Sequence, residues 1–255
     1  MKVASLLFES MLGEARLSLH KMRRSALESI LASGLLIGVF LLMLFGAGLG
    51  SHLPGVPGAE QLAIGFVTWR FATAAYGSIA VEVADDINAR CLEQLAIGGG
   101  LLRVYLLRAA VHLIAGSVGT LFMLLVVALV VDTSLLTHAG ALLVLLWIGA
   151  PALVGLGLMV GAVNVAFKQA DTLNALMLMS VIALVALPGH PFGLLSALPF
   201  VYPASLARAL IEDGPPGVST LIVAAGLSLA WFAAGCCAFR AAATIARRRG
   251  TLSHH

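Results

Sequence analysis

The sequence predicts an all-α integral membrane protein with six transmembrane helices, an N-terminal interfacial amphipathic helix and a short broken-helix excursion before the last span. Of its 255 residues, 60% are hydrophobic and only 11% are charged, and the mean hydropathy is +1.03. Soluble domains do not have this balance. Apolar runs of about 20 residues, the length that crosses a bilayer, follow one another along the chain. They leave little room for a folded soluble domain.

The predicted domain order begins with a helix that lies on the membrane surface. Residues 1–24 mix leucines with Lys, Arg and Glu, the composition of an interfacial amphipathic helix, and a solvated tail is the alternative. Residues 25–243 are predicted to form one six-span domain, followed by a basic cytosolic tail over 244–255. The predicted spans are 26–50, 62–84, 106–131, 139–166, 173–187 and 218–243.

The segment 188–217, which we name the outer excursion, is predicted to stay on the outer side of the membrane. Its apolar part contains Pro199, Pro203 and Arg208, which disfavour a straight spanning helix. A seventh span would also move the basic residues 247–249 to the outside, against the positive-inside rule. We therefore expect a helical excursion into the outer leaflet whose broken backbone is covered by protein.

The basic residues predict the orientation of the chain. If both termini are cytosolic, all of the 15 Lys and Arg residues except Arg70 and Arg208 fall in cytosolic segments. Cytosolic loops of membrane proteins are enriched in Lys and Arg. This asymmetry therefore predicts that both termini and the polar segment 81–108 are cytosolic.

The polar segment 81–108 is the one long interruption between the apolar runs, and it is predicted to be the cytosolic working surface. Its charged residues are Glu82, Asp85, Asp86, Arg90, Glu93, Arg103 and Arg108. Its apolar residues at helical spacing are Val81, Ala84, Ile87, Cys91, Leu92 and Leu95. This pattern predicts a short amphipathic helix near the membrane surface, which the glycines 98–100 then interrupt.

Several kinds of chemistry lack the residues that they need. The sequence has no G-x-x-x-x-G-K-[ST] phosphate loop, so this chain is not expected to bind ATP in that manner. It has no H-E-x-x-H motif, and Cys91, Cys236 and Cys237 do not have the spacing of metal ligands. We therefore expect no catalytic residue, no metal site and no cofactor held by this chain.

The order of features in the polar segment resembles the first cytoplasmic loop of the ABC-2 family of ABC transporter permeases. In that family, an acidic helix leads to a Leu-Glu-x-Leu element, a helix breaker and a basic start of the third span. The corresponding residues here are Glu82, Leu92-Glu93-Gln94-Leu95, the glycines 98–100, Arg103 and Arg108. A second match is the run Leu198-Pro199-Phe200-Val201-Tyr202-Pro203 with Arg208, which is similar to the proline-containing excursion before the family's last span.

The resemblance implies a permease subunit of an ABC exporter in the bacterial plasma (inner) membrane. It implies a homodimer or heterodimer of permease subunits with two ATP-binding subunits, which would bind ATP and Mg²⁺. An amphipathic or lipid-linked substrate would pass between the permease subunits, membrane lipid would surround them, and no nucleic acid is expected. The expected ATPase-coupling residues are Glu82, Asp85, Asp86, Arg90, Glu93 and Gln94. Haem-exporter-type permeases are similar in this loop and stay an alternative.

Arg70 is the clearest candidate for a substrate-pathway residue inside a predicted span. A buried charge costs a few kcal/mol or more unless it faces water or a partner, so Arg70 and its neighbour Trp69 are predicted to face the pathway. The alternative is that Arg70 extends to the outer interface beside a belt tryptophan. A membrane-embedded enzyme or an ion-coupled carrier would need several intramembrane carboxylates or histidines, and the predicted spans offer chiefly Arg70 and His112.

Overall fold

A computed structural model describes residue 38 and residues 59–89, 91–92, 100–130, 133–167 and 170–248. Within these ranges every regular element is helical and no strand occurs, so the predicted all-α class is confirmed there. The α-helices are α1 (Ala59–Asn88), α2 (Leu101–Val130), α3 (Ala139–Phe167), α4 (Ala170–Ala186), α5 (Val201–Asp213) and α6 (Val218–Arg248). Short 3-10 helices, Thr133–His138 and Leu194–Ala197, precede α3 and α5. The predicted interfacial helix 1–24 lies outside the described residues, as does the first predicted span apart from residue 38.

Three helices of the described ranges are long and apolar enough to cross a membrane. They cover Leu101–Leu129, Leu136–Phe167 and Val218–Arg248. These stretches contain most of the predicted third, fourth and last spans, and α6 continues to Arg248, five residues into the segment predicted as a tail. The part Leu173–Ala186 of α4 is apolar but shorter. At about 1.5 Å per residue, the 17 residues of α4 extend over about 26 Å, less than the hydrocarbon core of about 30 Å.

Helix α1 has 30 residues but is not among these three apolar helices. It contains Arg70, Glu82, Asp85 and Asp86, which lower its mean hydropathy. Its side chains pack mainly against protein: Val67, Ala75, Ile79 and others are fully buried. A helix that is surrounded by other helices does not need an apolar face toward lipid, so its polar residues are tolerated when partners satisfy them.

Helix α3 lies between α1 and α6 and contacts both through glycines. On the α1 side, a Cβ atom at Gly157 would lie 2.9 Å from the carbonyl oxygen of Tyr76, and one at Gly161 would lie 3.1 Å from Val83 Cγ2. The pair Gly157 and Gly161 therefore allows two helices of this same chain to approach closely, as small residues do in membrane helices.

The contact between α3 and α6 is closer still. A Cβ atom at Gly235 of α6 would lie 2.6 Å from Gly155 Cα, and one at Gly155 would lie 2.7 Å from Phe232 Cα. Real Cβ atoms do not approach backbone atoms to such distances, so a side chain at either position would force the helices apart. The two backbones therefore touch at this crossing.

The end of α1 differs from the predicted short amphipathic helix. Residues 81–88 continue α1 without interruption, and Val81, predicted on the apolar face, is 49% exposed. Glu82 and Asp86 are buried instead, because cationic and hydroxyl groups of α2 face them. At the other end of the polar segment, Gly100 has a φ of +92°, a conformation that favours glycine, and α2 begins at the next residue.

The outer excursion is only partly covered by protein: residues 199–207 are buried, whereas most of residues 190–198 are exposed, Leu194 to 93%. Helix α4 ends at Ala186, as the following prolines predict, and Arg208 of α5 donates a hydrogen bond of 3.0 Å to the carbonyl oxygen of Ala186. The first half of α5, residues 201–207, is buried. Its 13 residues extend over about 20 Å, too short to cross a bilayer. The predicted protein cover is therefore found around α5 and not over most of the irregular backbone between α4 and residue 199.

Candidate functional site

Five side chains of α1 and α2 form a buried polar cluster. Its members are Glu82 and Asp86 of α1 and Tyr105, Arg108 and His112 of α2. The two carboxylates stand four residues apart and therefore share one face of α1, while the three α2 residues at spacings of three and four share one face of α2. The helices pack these two faces against each other. We name this group the polar cluster.

Arg108 is the central residue of the polar cluster. Its Nη1 donates a hydrogen bond of 2.7 Å to Asp86 Oδ2 and one of 3.2 Å to Glu82 Oε2. Tyr105 Oη donates to the same Asp86 oxygen over 2.9 Å, and the guanidinium carbon of Arg108 lies 5.8 Å from the centre of the Tyr105 ring. One arginine therefore bridges two carboxylates and also contacts an aromatic ring.

The second oxygen of Glu82 has a different partner. His112 Nε2 lies 3.6 Å from Glu82 Oε1, one turn further along α2 than Arg108. Arg108 keeps its charge in proteins, so the two carboxylates of the cluster exceed its single positive charge by one. The imidazole of His112 therefore stands on the side of the Glu82 carboxylate that Arg108 does not occupy.

Burial makes these contacts energetically significant. The Arg108 side chain is 17% exposed and that of Glu82 is 10% exposed, so neither is screened as a surface ion pair would be. Removing one partner of such a pair leaves an uncompensated charge and typically destabilises a protein by about 3–5 kcal/mol. Each of these charged side chains is therefore stable in the protein interior only while its partners are present.

The structure separates the residues that the sequence assigned to ATPase coupling. Glu82 and Asp86 are buried in the polar cluster, and Asp85 between them is exposed. Residues Arg90, Glu93 and Gln94 lie outside the described residues. The acidic face expected from the sequence thus divides into two inward carboxylates and one outward carboxylate. The assignment of a partner contact to Asp85 stays a prediction.

The proposed pathway residues lie far from the polar cluster. Arg70 and Trp69 are half-buried on α1, and Arg70 precedes Glu82 by 12 residues, which corresponds to about 18 Å along the helix. Trp69 packs against Phe66 with ring centres 5.4 Å apart. In the described part of the chain, no carboxylate forms an ion pair with Arg70. Arg70 and the polar cluster are therefore separate features of α1 within the described residues.

Sequence reasoning found the charges of the polar cluster but missed their arrangement. The sequence predicts Arg108 at the basic start of a span and His112 inside a span, and it gives no separate signal for Tyr105. A signal was present: Glu82 and Asp86 are like charges at i and i+4, a spacing that destabilises a helix unless a cation faces both. That cation stands 22 residues after Asp86, on the next helix.

A second polar network lies next to the polar cluster. Asn164 of α3 donates to Asn174 of α4 over 3.3 Å, and Asn174 donates to the carbonyl oxygen of Ala80 over 3.4 Å. Asn164, which lies near the end of the predicted span 139–166, is fully buried. The network meets α1 at Ala80, two residues before Glu82. It therefore connects α3 and α4 to α1 close to the polar cluster.

The described helices and the polar cluster define an all-helical protein with three helices of membrane-spanning length, consistent with a membrane protein. No group of three His, Cys, Asp or Glu residues in the described ranges is arranged to hold a metal ion. Comparisons with protein-family models, with curated proteins and with solved structures give no match.

Proposed function

We propose that this chain is the transmembrane permease subunit of an ATP-driven ABC exporter of the ABC-2 type. The observation that supports this proposal most directly is the bridge from Arg108 to Glu82 and Asp86. It joins the last two turns of α1 to the first turns of α2, next to the connection between these helices. In the proposed mechanism the ATPase pushes on this loop. The push moves the helices only if they are held together at the base of the loop, because otherwise the loop would deform and the helices would stay in place.

The proposed arrangement completes the described helices to six spans with both termini cytosolic in the bacterial plasma membrane. An interfacial helix over residues 1–24 and a span over 26–50 would precede α1. The basic end of α6, with Arg247 and Arg248 in its last turn, then lies on the cytosolic side, as the positive-inside rule favours. ATP and Mg²⁺ bind to a separate ATPase, and an amphipathic or lipid-linked substrate crosses between two permease subunits.

The proposal is tested by isolating the protein with its partner. The chain, tagged and expressed from its own chromosomal locus, is extracted in mild detergent and purified at low salt. We expect a phosphate-loop ATPase to co-purify in equal amount, with ATP hydrolysis that vanadate inhibits. A tagged, unrelated membrane protein purified in parallel is the control. Isolation of the folded, full-length chain with no ATPase attached, in several detergents and in nanodiscs, would contradict the proposal.

Neighbouring aspartates provide a sharper test of coupling. Asp85 is exposed, so Asp85→Lys should leave the fold intact and reduce ATP-dependent transport at least about tenfold by changing a charge at the proposed ATPase contact. Asp86 is buried against Arg108, so Asp86→Lys should instead reduce the yield of folded protein. Transport rate and thermal stability are measured for both variants. Wild-type transport by a stably inserted Asp85→Lys variant would remove Asp85 from the coupling surface.

The pathway role of Arg70 is also testable by one substitution. Arg70→Gln keeps most of the length and some hydrogen-bonding capacity but deletes the charge. If substrate or water in the pathway offsets the energetic cost of burying this charge, the variant should transport more slowly. It should also show a smaller preference for substrates with acidic head groups. Transport of a compound panel by reconstituted vesicles measures both quantities. A wild-type rate with unchanged preference would make Arg70 an interfacial or packing residue.

An ion-coupled carrier is a second candidate, and one observation favours it. The contact between Glu82 and His112 places two titratable groups together in helices of the proposed membrane domain, an arrangement that proton-coupled carriers use. Vesicles without ATP separate the two candidates. Transport driven by an imposed proton gradient, and its loss in His112→Gln, would favour the carrier, whereas transport that depends on ATP alone would favour the exporter.

A further inference from the structure

A groove between α2 and α6 combines an apolar floor with two arginines. Its lining residues are Leu102, Arg103, Leu106, Leu107, Ala110 and Arg240. The groove has a volume of about 370 Å³, within the range of roughly 300–1,000 Å³ that is typical of small-molecule sites. Its lining contains no acidic residue. We name it the α2/α6 groove.

The position of the groove follows from an aromatic contact between the two helices. Tyr105 of α2 and Phe239 of α6 meet edge to face with ring centres 5.6 Å apart, and both side chains are fully buried. Arg240 directly follows Phe239, and Leu106 directly follows Tyr105, so the next residues on both helices line the groove beside this contact. The groove therefore lies beside a packed contact of the two helices.

The shape and charge of the groove fit one class of molecule. Along α2, the lining residues 102, 106 and 110 repeat every four positions, so the apolar strip extends over about 12 Å of one helix face. Arg103 stands near the start of α2 and Arg240 near the last two turns of α6, where the proposed orientation places the cytosolic leaflet. We propose that the α2/α6 groove binds an anionic glycerophospholipid of that leaflet.

In this site the two guanidinium groups bind the lipid phosphate, and one acyl chain lies on the leucines. Arginine suits a phosphate because its planar group donates paired hydrogen bonds. The apolar strip continues into the exposed apolar face of α2, where Ile114 and Val118 are 59% and 64% exposed, so the acyl chain can extend beyond the groove into the surrounding lipid. Basic pockets between helices on the cytosolic side recognise lipid head groups in this way.

Lipid binding is measured on the purified full-length chain in detergent, without ATP or an ATPase. Phosphatidylglycerol and phosphatidylcholine with the same acyl chains are titrated, and bound lipid is counted by native mass spectrometry. We expect the wild-type chain to prefer phosphatidylglycerol, because the choline cation of phosphatidylcholine offsets the charge of its phosphate and is repelled by the two arginines. The variant Arg103→Gln/Arg240→Gln should lose this preference, with phosphatidylglycerol affinity lowered by on the order of tenfold or more. Glycerol 1-phosphate should not compete, since it lacks the acyl chain.

Two further variants keep the test specific. Arg247→Gln/Arg248→Gln removes the same charge from exposed positions of α6 outside the groove and should retain the preference. Ala110→Trp fills the groove from an exposed position without changing charge, and should weaken binding of both lipids. An equal loss in the 247/248 variant, competition by glycerol 1-phosphate, or equal affinity of the wild type for both lipids would overturn the proposal. The site depends on the proposed membrane orientation but not on transport, so the exporter proposal and the lipid site can fail separately.

Discussion

Replacing Arg108 with methionine is expected to destabilise the protein by about 3–5 kcal/mol, the largest effect that we predict for a single side chain. The variant keeps an unbranched apolar stem and much of the volume of the side chain but leaves Glu82 and Asp86 buried without the guanidinium group. Like charges at i and i+4 then repel each other as well. Denaturant unfolding in mixed micelles, followed by circular dichroism, measures the free energy of unfolding.

A compensating variant distinguishes lost charge balance from lost packing. Adding Glu82→Gln and Asp86→Asn to Arg108→Met removes the uncompensated charges, so the triple variant should recover more than half of the lost stability. Arg248→Gln, at an exposed position near the end of α6, should change stability by less than about 0.5 kcal/mol. If the triple variant were as unstable as Arg108→Met alone, the ion pairs would not be the cause.

Alanine at Gly155 or Gly235 is expected to destabilise the protein, although alanine normally stabilises a helix. At either position the new Cβ would lie within 3 Å of backbone atoms of the facing helix, and backbone cannot move aside as a flexible side chain can. Overpacking of this kind costs about 1–3 kcal/mol. The double variant should cost less than the sum of the single variants, because once the helices have separated the second methyl group finds space.

Gly226 of α6, the helix that contains Gly235, provides the matched control. A Cβ atom there would meet nothing within 4 Å. Gly226→Ala should therefore be neutral or stabilise the protein, by up to about 1 kcal/mol, because alanine loses less conformational entropy than glycine in a helix. Thermal unfolding of the four variants in the same detergent gives the comparison. Equal effects of alanine at 226 and 235 would show that the close crossing of α3 and α6 does not limit stability.

The helices themselves could be predicted because membrane-length apolar runs are visible in the sequence. The predicted span 139–166 corresponds to α3 at Ala139–Phe167, and the predicted span 106–131 corresponds to most of α2. The end of α4 was predictable for a similar local reason, since prolines follow it directly. These features depend on consecutive residues, so periodicity and composition are enough to find them.

The candidate site could be predicted only in part because it depends on which helix faces meet. Val81 is predicted on the apolar face of the segment and Glu82 at the ATPase contact, but Val81 is exposed and Glu82 is buried, because Arg108 lies across from Glu82 and not from Val81. The crossing at Gly155 and Gly235 was missed for the same reason, since a single glycine on each of two helices leaves no local pattern. The sequence shows which residues share a helix face but does not show which helix packs against that face.

The side chain of Arg208 has a consequence for how the protein fits membranes of different thickness. A helix of only 17 residues normally ends at the bilayer surface, where water hydrates its last carbonyl groups, and the bilayer must thin to match it. Here the guanidinium of Arg208 hydrogen-bonds to the carbonyl oxygens of Ala186 and Leu187 at the end of α4. These groups do not need water, so in the proposed six-span arrangement α4 can end below the surface of an unthinned bilayer. The depth at which α4 ends is then fixed by α5, and a change in lipid chain length should leave it in place.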